Sequence, residues 1–198
     1  MKVLLINGSP NEKGSTYTAL CEVEKELNKA GIETEVFHVG KEPIRGCTAC
    51  GHCSKGSYRC IYDDTVNVAL DKAETADGFV FGSPVYYAAP TGQITSFLDR
   101  FFQAGISYQY KPGAAVVCCR RGGATAAFEQ LNKYFTISNM PVVSSQYWNM
   151  VHGHDAEEVK QDLEGLQIMR TLGKNMAWLL KCIEAGKKAG ISLPKKEE

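Results

Sequence analysis

A chain of 198 residues with 22 basic and 22 acidic side chains is long enough to bury one continuous core and carries no formal net charge. That balance leaves no electrostatic footprint for nucleic acid or for an anionic membrane surface as a partner. No apolar stretch approaches the roughly 18 residues of a membrane span, and Met1-Lys2-Val3 leads into an apolar run without a signal-peptide core, so a cytoplasmic location is expected.

The chain opens with Val3-Leu4-Leu5-Ile6, a strand-like run, and continues into Gly8-Ser9-Pro10-Asn11-Glu12-Lys13-Gly14-Ser15-Thr16. Helical spacing follows at Leu20, Val23, Leu27 and Ala30 and stops at Gly31. A strand that ends in a Gly- and Ser-rich loop and then opens a helix aims several unpaired N–H groups and the positive helix end at one point. This is the geometry of a phosphate cradle. Ser9, Ser15 and Thr16 add hydroxyl donors without charge, which suits a monophosphate dianion. The Walker spacing fails, because five residues separate Gly8 from Gly14 and Ser15 follows directly. An ordinary turn between strand and helix is the alternative reading of these residues.

A second strand is expected over Thr34 to Val39, followed by Cys47-x2-Cys50-x2-Cys53-x6-Cys60 in a Gly- and Ser-punctuated loop. A helix begins near Thr65, with Asp63-Asp64 as its N-cap pair. Eight cysteines in a reducing compartment are expected as thiols, metal ligands or redox groups. Three thiols at this spacing with a fourth close behind can fold around one [4Fe-4S] cluster. Free thiols or adventitious disulfides, and zinc, are the alternatives, and zinc more usually takes two separated Cys-x2-Cys knuckles. Cys21 and Cys182 fall on helical stretches and read as small buried hydrophobes.

The third strand is Gly78 to Phe81, and the loop Gly82 to Gly92 places two prolines around Tyr86 and Tyr87 before a helix from Gln93 to Ala104. Such a rigid loop can offer N–H groups and aromatic faces to a flat heterocycle. Ala114 to Cys119 is the fourth strand, and Arg120-Arg121-Gly122-Gly123 behind it combines close backbone approach with positive charge. A fifth strand is expected over Val142 to Tyr147. Trp148 and His152 follow as candidates for the substrate side and for a proton donor. The last helix carries Val159, Leu163, Leu166, Met169, Leu172, Met176, Leu180 and Ile183 on one face, and residues 187–198 read as a polar tail behind a single domain over 1–186.

Strand-like runs alternating with helices indicate a parallel sheet covered on both faces, with ligand-binding loops converging at the carboxyl ends of the strands. With these loops, the chain from Met1 to about Leu180 resembles the NADPH-dependent FMN reductase and iron–sulfur flavoprotein branch of the flavodoxin-like superfamily. The resemblance implies an α/β three-layer sandwich whose five parallel strands run in the order 2-1-3-4-5. It implies that Ser9, Asn11, Gly14, Ser15 and Thr16 bind the FMN phosphate, although arginine often stands where this chain has Asn11. It implies that Pro84, Val85, Tyr86 and Tyr87 contact the ribityl chain and the isoalloxazine, and that Arg120, Arg121, Gly122 and Gly123 lie along the pyrimidine edge. The cysteine spacing is similar to that of the iron–sulfur flavoproteins, which makes Cys47, Cys50, Cys53 and Cys60 candidate cluster ligands. A homodimer or homotetramer is the expected assembly, with Phe101, Phe102, Tyr108 and Tyr110 available to an interface or, for the two phenylalanines, to the core.

The expected activity is hydride transfer from NAD(P)H through FMN to a small-molecule acceptor such as a quinone, an azo or nitro compound or free flavin. The flavin carries the chemistry, and no side chain is assigned a catalytic role. The alternative is an electron carrier between protein partners, against which the zero net charge argues, since flavodoxin carriers tend to be acidic.

Overall fold

The computed structural model describes residues 1–104 and 107–195. Its elements are β1 (Lys2–Asn7), α1 (Ser15–Lys29), β2 (Glu33–His38), α2 (Thr65–Ala73), β3 (Gly78–Tyr86), β4 (Ala89–Pro90), α3 (Gly92–Gln103), β5 (Gly113–Cys119), α4 (Ala124–Ile137), β6 (Met150–His152), α5 (Ala156–Gln161) and α6 (Leu163–Lys188). One further 3₁₀ turn, Cys53–Lys55, lies between β2 and α2.

Five strands form the main sheet in the order β2-β1-β3-β5-β6, every pair parallel, and β4 pairs antiparallel with the end of β3. Counting only the parallel strands, this is the expected 2-1-3-4-5 order. Side chains alternate across the pleat, and both sets are buried. Leu4, Ile6, Phe79, Phe81, Ala115 and Val117 pack against α2, α3 and α4, whereas Val3, Leu5, Val80, Ala114 and Val116 pack against α1, α5 and α6. On the first face Phe79, Phe81, Phe101 and Tyr108 form an aromatic cluster, with Phe101 stacked on Tyr108 at 5.1 Å. Phe101 is therefore a core residue and Phe102 packs beside it.

Several expectations need correction. β3 does not stop at Phe81 but runs through Pro84 to Tyr86. β1 ends opposite Gly82 and β4 pairs only with Val85 and Tyr86, so the missing donor of Pro84 disrupts no ladder with either strand. The fifth parallel strand is Met150–His152, not Val142 to Tyr147. Val142 makes only an isolated bridge to Gly113, because the next residues turn to α6: Asn175 donates to the Ser144 carbonyl at 2.8 Å and Ser145 to the Ile168 carbonyl at 2.6 Å. The last helix is two helices, since Asp162 leaves helical geometry and caps α6 by accepting from the Gly165 N–H at 2.9 Å. Leu163, expected on the buried face, and Cys182, expected as a buried hydrophobe, are both exposed. α6 extends to Lys188; of the polar tail expected over 187–198, residues 196–198 lie outside the described residues. Among the described residues no helix is long and apolar enough to cross a membrane.

Candidate functional site

The loop after β1 is built from its own side chains. Asn7, fully buried, accepts from the Ser9 N–H at 3.1 Å and donates to the Glu12 carbonyl at 2.9 Å. Ser9 Oγ accepts from the Asn11 N–H at 3.1 Å, which leaves the hydroxyl proton free to donate elsewhere. Gly14 caps α1 in extended geometry with no side-chain partner for the first helical N–H groups. Thr16 Oγ1 is buried and has no hydrogen-bond partner in the protein. A buried hydroxyl without a partner costs about 1–3 kcal/mol. A ligand oxygen at this loop would relieve that cost.

The same loop is tied to the β3–β4 hairpin. Thr91 Oγ1 donates to the Gly8 carbonyl at 3.0 Å and accepts from the Ile94 N–H at 3.2 Å, capping α3 with one hydroxyl. Ser83 Oγ accepts from the Thr91 N–H at 3.1 Å. At the hairpin tip Tyr87 and Ala88 both take positive φ, 50° and 61°, the backbone of a tight primed turn without glycine. Such residues are strained, by about 1–3 kcal/mol each. Gly123 meets this tip, because a Cβ added there would stand 2.7 Å from Ala88 Cα, and its φ of +90° disfavours a side chain as well.

A cleft of about 260 Å³ opens where these segments meet. Ser9, Asn11, Ser15 and Thr16 line it from the first loop, Pro84, Val85 and Tyr86 from the hairpin, and Arg120 from the end of β5. Gly14 lies in the adjoining opening with Lys41. Tyr87, fully exposed, and Arg121, Gly122 and Gly123 stand outside the lining. Cys118, Cys119, Gly153 and His154 complete the wall. Burial pushes the Cys118 thiol up to about 12, and burial also raises Cys119. His154 rather than His152 reaches the cleft, since His152 turns toward Asp162, with 3.8 Å between Nδ1 and Oδ2. Trp148 is also outside it, packed on Tyr147.

A second cavity, of about 300 Å³, lies under the loop between β2 and α2 and shares no residue with the first. Cys47, Cys50, Cys53 and Cys60 all line it, together with Tyr62, Arg100 and Gln103. Among the described residues no three His, Cys, Asp or Glu side chains are grouped closely enough for a single ion. Arg100 on α3 is buried and uses its whole guanidinium: Nη1 and Nη2 hold Asp64 at 2.6 and 2.8 Å and the carbonyls of Arg45 and Tyr62 at 3.2 and 3.1 Å, while Nε donates to Cys60 Sγ at 3.1 Å. Burial opposes its charge, but the bonds to Asp64 and Cys60 more than offset this, and its pKa is raised. Gln93, also on α3, fastens the start of the loop by donating to the carbonyls of Gly40 and Glu42 at 2.7 and 3.1 Å. Asp64, expected as an N-cap, caps α2 through the Val66 N–H as well as holding Arg100.

Sequence reading did not single out Asn7, Thr91 or Arg100. The only signal for Thr91 was a hydroxyl residue ahead of a helix, and nothing local marks a buried arginine as a thiol's partner.

A five-stranded parallel sheet in this order, with a Ser- and Thr-lined helix terminus at its carboxyl edge, defines a flavodoxin-like protein. The profile of the NADPH-dependent FMN reductase family matches residues 1–155, and the chain belongs to that family. An iron–sulfur flavoprotein of Methanocaldococcus jannaschii is 33% identical over 193 residues, covering 93% of this chain and 100% of that protein. An iron–sulfur flavoprotein of Methanosarcina thermophila is 27% identical over 191 residues, covering 93% and 97%. An FMN-dependent NADPH-azoreductase of Staphylococcus saprophyticus is 31% identical over 100 residues, about half of each chain (50% and 51%). Among solved structures, RosB with a bound formylated riboflavin phosphate superposes with a TM-score of 0.70 at 15% identity, over 100% of this chain and 91% of that one. At that identity the likeness concerns the fold.

Proposed function

We propose that the chain is an FMN-dependent oxidoreductase that takes hydride from NAD(P)H and passes it to a small-molecule acceptor such as a quinone, an azo or nitro compound or free flavin. The observation that carries this reading is the convergence of the Ser9–Thr16 loop, the Pro84–Tyr86 segment and Arg120 on one cleft. FMN, when bound, supplies the hydride-accepting ring. Ser9, Ser15 and Thr16 would hold the phosphate with hydroxyl and N–H donors at the positive end of α1. Pro84, Val85 and Tyr86 would orient the ring, and Arg120 would place positive charge where negative charge develops on reduction. Asn11 and Gly14 belong to the same phosphate loop, Gly123 packs against the hairpin tip beside Tyr87, and Tyr87, Arg121 and Gly122 would meet the flavin from the rim of the cleft. A homodimer or homotetramer in which the exposed Tyr87 is covered is part of the proposal.

The proposal extends to a [4Fe-4S] cluster at Cys47, Cys50, Cys53 and Cys60. All four thiols border one cavity, and a cubane spaces its ligands farther apart than a tetrahedral ion does. Relatives named iron–sulfur flavoproteins support the same reading. With both groups present, transfer of electrons to protein partners is the second function, and the cysteine cavity is the observation that favours it.

The test is an absorption spectrum of protein purified without oxygen, taken before and after one equivalent of NADPH or NADH. Prompt bleaching of flavin bands is the expected result. Flavin that binds without being reduced by either nucleotide would favour the carrier, and failure to bind FMN on reconstitution would overturn the reading.

A further inference from the structure

We infer that Arg100 is a positioning residue of the cysteine site: its Nε–H, aimed at Cys60 Sγ, raises the reduction potential of a cluster held there. The inference rests on the reading that these thiols hold a cluster. Its basis is how differently the four cysteines are held. Cys47 and Cys50 are exposed. Cys53 donates its thiol proton to the Gln103 carbonyl at 3.1 Å. Cys60 is gripped at three points. Its N–H donates to Asn67 Oδ1 at 2.8 Å, Asn67 Nδ2 donates to its carbonyl at 3.0 Å, and Arg100 reaches its sulfur. Asn67 and Arg100 are both buried, each 2% exposed, so neither has solvent as an alternative partner. Asn67 spends its second amide proton on the Tyr62 carbonyl at 3.2 Å, which fixes the chain just beyond Cys60.

The guanidinium cannot turn away from the sulfur. Its other four N–H bonds go to Asp64 and to the carbonyls of Arg45 and Tyr62, and the Tyr62 ring packs against its plane at 5.3 Å. A guanidinium does not lose its proton, so the group at Cys60 is always a donor. When a thiol becomes a metal ligand it becomes a thiolate, and this hydrogen bond becomes charge-assisted on both sides. Adding one electron to a cluster adds one negative charge, part of it on the sulfurs, so a fixed N–H···S bond favours the reduced form. Asp64 offsets much of the long-range positive charge of Arg100. The directed bond is then the larger influence, and a lysine with the same charge cannot reproduce it.

The test uses the full chain, reconstituted without oxygen, as wild type, Arg100→Lys, Asp64→Asn, and Asp64→Asn combined with Arg100→Gln. The double variant leaves the half-buried Asp64 position without an unpaired carboxylate and covers the case in which Arg100→Lys does not fold. Iron, sulfide and FMN content and the cluster's midpoint potential are measured for each. The expected result is a wild-type complement of iron and sulfide with a more negative potential in Arg100→Lys than in wild type, and in the double variant than in Asp64→Asn. A loaded variant whose potential equals that of its reference overturns the inference and leaves the cluster standing. Wild type that binds FMN but takes up no iron and sulfide overturns the cluster reading, and the inference with it.

Discussion

The Thr91 hydroxyl and the Gly8 carbonyl, 83 residues apart in the chain, are joined by a buried hydrogen bond of 3.0 Å. It joins the loop after β1 to the start of α3, and the same oxygen caps α3 through the Ile94 N–H. The shape of the cleft therefore depends on a residue that does not line it.

Thr91→Val keeps the volume but removes both bonds. The expected loss is about 1–3 kcal/mol of stability, read as a lower urea midpoint at unchanged slope, together with weaker FMN binding by fluorescence titration. Wild-type values for both would show that the linkage has no role.

Thr16→Val separates folding from binding. In the free protein the hydroxyl is buried without a partner, so its removal should leave stability unchanged or slightly raised. FMN affinity should fall by about tenfold or more, the value of one hydrogen bond to a charged group. Opposite signs for the two measurements are the expected signature.

Gly123→Ala places a Cβ against Ala88 at a φ of +90°. The expected destabilisation is about 1–3 kcal/mol, with looser FMN binding because the strained hairpin tip must shift. Thermal unfolding with and without FMN measures both.

Cys47→Ser should remove iron and sulfide while leaving FMN affinity at the wild-type level, because the two cavities share no lining residue. Loss of both cofactors together would show that the sites are coupled.

Cys118 makes stability depend on alkaline pH. Its thiol, ordinarily at 9.0, is pushed up to about 12 by burial, so the folded state keeps a proton that the unfolded chain releases. The unfolded state binds fewer protons above pH 9, and stability falls as pH rises from there toward 12, by up to about 1.4 kcal/mol per unit from this group. Burial raises Tyr108 and Tyr134 as well, and they act in the same direction. Urea unfolding at pH about 8 and about 10 should give a flatter dependence for Cys118→Ala than for wild type.

Much of the fold was legible because both faces of the sheet are buried, which makes its strands continuous apolar runs such as Val3 to Ile6 and Ala114 to Cys119. The edge was not. Val142 to Tyr147 has the composition of a strand, but Ser144 and Ser145 bond to α6, and that competition involves residues far along the chain. The lining of the cleft was legible where a loop carries its own signal, as with Ser9, Ser15 and Thr16. His154 was not, because it and His152 lie in one short stretch, and the pairing of His152 with Cys119 and the bonds of the two N–H groups to Asp162 and Glu158 come from residues outside it. Arg100 looked like any charged residue on an amphipathic helix, and its role depends on Asp64 and Cys60 being folded against it.

The fastening of the cysteine loop bears on how such a site could be moved between proteins. Gln93 and Arg100 stand two turns apart on α3, and Asn67 stands on α2, so the residues that shape the loop lie outside it. A graft of residues 40–62 alone would carry four thiols without the helical side chains that hold the loop in place. The transferable unit is the loop together with two helical faces, and a search for other chains with this site should be keyed to Asn67, Gln93 and Arg100 as well as to the cysteine spacing.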